Sequence, residues 1–118
     1  MEKESHEIKL SLPVTITFIP ERPMFEKVVL EEYNKKYEYE SPLEPNTKLF
    51  CSISFKGTRT DRYPLIEMAN EVLSVLEGVA FDSKINIQML LVSEDSMFES
   101  SIEVHILPLD QLKNMVRI

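Results

Sequence analysis

The sequence predicts a single α+β domain, with a mixed β-sheet in the element order β-α-β-α-β-β, helices packed on one face and a short C-terminal helix. Three observations support this prediction. Four segments alternate apolar and polar residues with the period of two that is typical of strands. Between them, two segments repeat apolar residues at helical spacing, and proline-rich or polar stretches separate the elements. The length of 118 residues is that of one domain, covering residues 1–118.

The first predicted strand extends from Ile8 to Ile19. Its alternation continues past Pro13, where we expect a bend or bulge because proline cannot donate a hydrogen bond to a sheet ladder. The strand ends at Pro20. The connector PERP then leads to the first predicted helix, about Met24 to Tyr37, which has an apolar stripe and a charged opposite face.

The remaining elements follow in order. A second strand is predicted at Lys48–Phe55, and an amphipathic helix at about Pro64–Glu77, which begins with proline and ends before glycine as helices commonly do. A third strand at Lys84–Glu94 and a fourth at Ser101–Leu107 are separated by the polar run DSMFESS. We therefore expect them to pair antiparallel as a hairpin. The residues 108–118 form the predicted C-terminal helix.

Composition excludes several classes of chemistry. A single cysteine, Cys51, cannot form an internal disulfide, and its place in an alternating strand predicts a buried thiol. With two histidines and no paired cysteines, a zinc site is not expected. Only two glycines are present, too few for a glycine-rich phosphate loop. No apolar run approaches the roughly 20 residues of a membrane span, and we expect a cytoplasmic protein without membrane contact.

Acidic residues surround the second helix. Asp61 precedes the helix, Glu67 lies in its first part and Asp82 follows its exit. Carboxylates are ligands for a hard cation such as Mg²⁺, which activates water and stabilises phosphoryl-transfer intermediates in nucleases. The same residues also fit a purely structural interpretation, in which Asp61 caps the helix and the other two acids are solvated.

A short basic segment precedes Asp61. Lys56, Arg59 and Arg62 place three of the 13 cations within seven residues, although the net charge of the chain is −7. The overall charge argues against nonspecific coating of nucleic acid, because phosphate binding depends on Lys and Arg. A local basic patch on an acidic protein is nevertheless compatible with this sequence.

The run TDRYPLIEMANEVLSVLEGVAFDSKI resembles the RusA family of Holliday junction resolvases, small phage and prophage endonucleases. Asp61 and Asp82 match the first and last aspartates of the family motif, and the element order fits most of the chain. The resemblance implies a cytoplasmic homodimer that acts on branched DNA in recombination and repair. It further implies Mg²⁺ held by Asp61 and Asp82, with Glu67 as a substitute ligand, and DNA contacts from Lys56, Arg59 and Arg62.

Four positions depart from that motif. Tyr63 replaces the second metal-binding aspartate, Pro64 an asparagine, Glu67 a lysine and Phe81 the first acid of the closing pair. Loss of a carboxylate and reversal of a nearby charge are expected to weaken metal binding and phosphate approach. The resemblance therefore implies a weak or inactive endonuclease that still binds DNA junctions.

Two further interpretations are compatible with the sequence. The first is a non-catalytic α+β protein-interaction module of phage or bacterial origin that shares this fold. The second is an unrelated α+β protein that has no contact with nucleic acid. Metal-dependent cleavage of a DNA junction separates the endonuclease from both.

Overall fold

A computed structural model of the chain describes residues 7–12, 22–57, 64–95 and 101–111, with the backbone alone described at 22–25. The elements in these ranges are β1 Ile8–Leu12, α1 Arg22–Tyr37, β2 Leu49–Lys56, α2 Leu65–Leu76, a 3₁₀ helix Lys84–Asn86, β3 Ile87–Asp95 and β4 Ser101–Pro108. Residues 109–111 begin the C-terminal helix. The predicted α+β fold and its element order are confirmed. The predicted bend at Pro13 and the strand beyond it lie outside the described residues.

The four strands form one mixed sheet in the order β1-β4-β2-β3. β4 pairs antiparallel with both β1 and β2, whereas β2 pairs parallel with β3. The predicted hairpin between the third and fourth strands is therefore wrong, because β2 lies between them. Burial explains this order: Ile102, Val104 and Ile106 of β4 are at most 2% exposed. β3 has no buried residue and ends in Glu94 and Asp95, which suits the edge of a sheet.

Both helices pack on the same face of this sheet, as predicted. α2 contributes six buried residues at helical spacing: Met68, Ala69, Val72, Leu73, Val75 and Leu76. From the sheet, every second residue points into the same core: Ile8, Leu10 and Leu12; Leu49, Cys51, Ile53 and Phe55; Ile102, Val104 and Ile106. Burial of each large apolar side chain contributes roughly 1.5–3 kcal/mol. The core therefore lies on one side of the sheet.

The second helix ends where the sequence predicts. Gly78 adopts φ +86°, a left-handed conformation that residues with a Cβ rarely adopt. Its N–H donates to the carbonyl of Phe81 at 2.7 Å, and the chain reverses toward β3. No helix in the described ranges has both the length and the apolar content needed to cross a bilayer.

The C-terminal end of α1 covers the outer edge of β1. The Lys9 N–H donates to the Tyr37 hydroxyl at 2.9 Å, and the Lys36 ammonium donates to the Lys9 carbonyl at 2.9 Å. The Tyr37 ring contacts the ring of Tyr33, with centroids 4.9 Å apart. Because unpaired backbone groups at a sheet edge recruit other strands, these contacts protect β1 from association.

Two buried groups predict loss of stability at alkaline pH. Burial raises the pKa of the Cys51 thiol from 9.0 to about 12, and the pKa of the Tyr33 hydroxyl from 10.0 to about 12. As pH rises above 9, the unfolded chain releases protons that the folded chain retains. The free energy of unfolding should therefore fall by about 1.4 kcal/mol per pH unit for each group between its two pKa values.

Urea denaturation at successive pH values measures this dependence. Cys51→Ala should remove most of the decrease between pH 9 and pH 10, because the Cys51 thiol of the unfolded chain is half-ionised already at pH 9.0 and the Tyr33 hydroxyl only at pH 10.0. Each protein is compared with itself at neutral pH, so that any pH-independent change in the free energy of unfolding caused by the smaller alanine side chain cancels. An unchanged decrease between pH 9 and pH 10 in the variant would contradict this assignment.

Candidate functional site

The structure describes three of the six predicted site residues, namely Lys56, Glu67 and Asp82. Asp61, Arg59 and Arg62 lie outside the described residues, as does Tyr63. Glu67 and Asp82 are both exposed. The roles predicted for Asp61, Arg59 and Arg62 therefore stay predictions, and geometry is given for the other three residues.

Glu67 and Asp82 lie at opposite ends of α2. Glu67 is in the first turn, where its N–H donates to the Pro64 carbonyl at 3.1 Å. Asp82 follows the turn that begins at Gly78. At the α-helical rise, the ten steps along the chain from Glu67 to Glu77 span about 15 Å. Oxygen ligands at about 2.1 Å from Mg²⁺ lie within about 4 Å of each other.

The described acids therefore do not fit a shared magnesium ion. Within the described residues, no three side chains of His, Cys, Asp or Glu come together as a possible metal site. The helix between Glu67 and Asp82 holds the two carboxylates apart, which argues against Glu67 as a ligand beside Asp82. A site that combines Asp61 with either acid stays a prediction.

Asp82 lines a small cavity at the amino-terminal end of the parallel strands. The cavity has a volume of about 70 Å³, and Ser41, Glu44 and Asn86 also line it. The Ser41 hydroxyl donates to the Ala80 carbonyl at 2.6 Å, which fixes the loop after α1 against the turn after α2. This cavity can hold little more than water, and its polar groups anchor two loops.

Lys56 lies at the other end of the sheet. It is the last residue of β2, and its register partners are Asp95 in β3 and Ser101 in β4. The N–H of Gly57 donates to the Asp95 carbonyl at 2.9 Å. Lys56 is therefore on the same side of the fold as the start of α2, but one β2 length away from Asp82.

The face of the sheet opposite the helices contains a groove that sequence reasoning missed. Its polar residues are Lys9 and Ser11 of β1, Glu103 and His105 of β4, and Ser52 and Ser54 of β2. We call the surface that these residues form the open face. The groove has a volume of about 370 Å³, and Lys36 of α1 lies at its rim. This volume is in the range of small-ligand sites.

Strand register arranges the open face in two rows. One row contains Lys9, His105 and Ser52, and the next contains Ser11, Glu103 and Ser54. A side-chain hydrogen bond connects β1 with β4: the Ser11 hydroxyl donates to Glu103 Oε2 at 2.8 Å. His105 Nε2 is 2.5 Å from Glu7 Oε1.

These residues occupy the polar positions in the alternating pattern of each strand, and that pattern could have indicated them. The sequence shows Lys9 and Ser11, Ser52 and Ser54, and the pair Glu103 and His105 at alternate positions. It does not show that β4 lies between β1 and β2, and only that order places the three pairs side by side.

β3 forms an edge of the sheet. It pairs with β2 on one side, and no strand of the described ranges pairs with its other side. Met89 and Leu91 lie on the same face as Ser52, and are 49% and 54% exposed. In contrast to β1, whose edge accepts contacts from α1, this edge combines exposed apolar side chains with a nine-residue strand.

Comparison with protein-family models and with curated proteins gives no match for this chain.

The separation of Glu67 and Asp82 predicts that the two acids do not act together in any effect of magnesium on stability. Any shift in thermal unfolding on addition of Mg²⁺ should therefore be retained in at least one of Glu67→Gln and Asp82→Asn. Glu31→Gln, which changes an exposed acid of α1, controls for the loss of one negative charge. A magnesium-dependent stabilisation that both site variants lose, and Glu31→Gln retains, would show that the two carboxylates act together.

Proposed function

We propose that this chain is a non-catalytic protein-interaction module that associates through the edge of β3, and that a second copy of the chain pairs there. The observation that supports this proposal is the edge itself, a nine-residue strand with Met89 and Leu91 exposed. Backbone N–H and C=O groups on such an edge are a template for another strand, and apolar side chains beside them add affinity.

The two edges of the sheet differ in a way that favours association at β3. At β1, Tyr37 and Lys36 occupy the backbone groups of Lys9. At β3, no strand of the described ranges pairs with the outer edge. Pairing of two β3 strands would extend the four-stranded sheet to eight strands and leave both helical layers intact.

A twofold axis at Leu91 gives a favourable register for this pairing. Two copies related by this axis are antiparallel, so that Leu91 faces its own copy and Met89 faces Ser93. Glu94 then lies opposite Gln88 and Asp95 opposite Ile87, which keeps the acids of the two copies apart. Like charges directly opposite each other destabilise a strand pair, so this register avoids a known cost.

The competing proposal is the junction endonuclease implied by the RusA resemblance. It requires Asp61, Asp82 and Glu67 around Mg²⁺, with Lys56, Arg59 and Arg62 on DNA phosphates. The separation of Glu67 from Asp82 and the net charge of −7 argue against it. Binding of DNA without cleavage is compatible with a basic segment at Lys56. A DNA-junction binding assay distinguishes this function from the main proposal.

Association at β3 predicts that Leu91→Lys dissociates the dimer. The change places two ammonium groups opposite each other at the axis and removes an apolar contact, so the dimer dissociation constant should rise at least about tenfold. Sedimentation equilibrium of both proteins measures the constant. Ile66→Lys is the matched control, because Ile66 is 55% exposed on α2 and Leu91 is 54% exposed on β3. A monomeric wild type, or equal effects of both changes, would contradict the proposed interface.

A synthetic four-way DNA junction tests the competing proposal. With Mg²⁺ or Mn²⁺ present, we expect no cleavage, and binding no tighter than to a linear duplex of the same length. The same assay is run with Asp82→Asn. Metal-dependent cleavage that the variant loses would establish the endonuclease, and tight junction binding without cleavage would assign the module to DNA.

A further inference from the structure

We propose that the open face is a binding site for a small oxyanion, a carboxylate or phosphate group, at the row of Lys9, His105 and Ser52. This site lies on the sheet surface opposite the helices and is separate from the acids around α2. It also differs from the β3 edge, since it uses β1, β4 and β2.

Donors and acceptors in the groove are not balanced. Among the described residues, the Lys9 ammonium and the hydroxyls of Ser52 and Ser54 have no hydrogen-bond or ion-pair partner, although all three line the groove. The acids have partners: Glu103 accepts from Ser11, and Glu7 contacts His105. The groups without a protein partner are therefore one ammonium and two hydroxyls, all exposed or half-buried, and a ligand that supplies acceptor oxygens can bind them.

Register places these donors around one position. Lys9 and Ser52 are the two cross-strand neighbours of His105, each with a Cα about 4.5–5.5 Å from the histidine Cα. A carboxylate or phosphate above this row is thus within reach of the flexible Lys9 side chain on one side and the Ser52 hydroxyl on the other. Rigid strands, rather than loops, fix this spacing.

Charge sets where the anion binds within the groove. Lys36 lies at the rim, and its ammonium donates to the Lys9 carbonyl, so two positive groups occupy the β1 end. Glu103 lies in the neighbouring row, about 7 Å along the strand from His105. Its negative charge repels an anion, and so does the charge of Glu7, whose carboxylate already contacts His105 Nε2. The anion is therefore expected to bind the Lys9 ammonium and the Ser52 hydroxyl, and not the His105 ring.

Titration with inorganic phosphate and with acetate, followed by two-dimensional ¹H–¹⁵N NMR at constant ionic strength, tests the site. Amide signals of Lys9, Ser52 and His105 should shift and saturate with at least one of the two anions. Saturation with phosphate alone assigns a phosphate ligand, and saturation with acetate alone assigns a carboxylate ligand. Absence of saturable shifts at these residues with either anion would overturn the proposal.

Three variants test whether the charges in the groove change its affinity for the anion in the expected direction. Lys9→Gln should weaken binding about threefold or more, because it removes a positive charge next to the anion. Glu103→Gln should strengthen binding by about two- to fivefold, because it removes the opposing charge. Lys27 is an exposed lysine of α1 outside the groove, so Lys27→Gln should leave the dissociation constant of the anion unchanged. Equal weakening by the two lysine variants, or weaker binding in Glu103→Gln, would overturn the proposal; dispersed NMR spectra verify that each variant is folded.

Discussion

The position of β4 at the centre of the sheet is the constraint on which the rest of the structure depends. β4 is antiparallel to both of its neighbours, and its inward residues are almost completely buried. Because β4 separates β2 from β1, the crossover through α2 can place only β3 beside β2. The two edges are then β1 and β3, one covered by α1 and the other uncovered by any described strand.

A second constraint is that apolar burial occurs on one face only. α1 and α2 both cover the inner face. The polar alternate residues of β1, β2 and β4 face the opposite side, beside the exposed Met89 and Leu91 of β3. A sheet with antiparallel strands can leave one face in contact with water. The strand order brings Lys9, Ser52 and His105 together on that face, where packing of the core does not determine which residues are present.

The sequence predicted the elements better than their arrangement. Apolar periodicity gave α2 to within one residue at each end, and the alternation from Leu49 to Phe55 gave β2, because both signals are local. Strand order depends on contacts between distant segments, and the short polar run after Asp95 suggested a hairpin that the burial of β4 prevents. For the same reason, neighbouring acids in the sequence suggested a site at Glu67 and Asp82, whereas the length of α2 separates them. Prediction of the groove would have needed the register of three strands, which no local sequence pattern contains.

The contact between Glu7 and His105 joins residues 98 positions apart. Within the described residues, β1 pairs with β4 and with no other strand, so the first strand of the sheet gains its partner only when the last strand is in place. Pairings of such long separation slow folding, because a large loop must close before they form. During synthesis, β2, α2 and β3 can assemble as a parallel unit, while β1 stays unpaired until β4 has left the ribosome. The sheet therefore assembles from its β3 edge towards β1, and the first strand of the chain is the last to be paired.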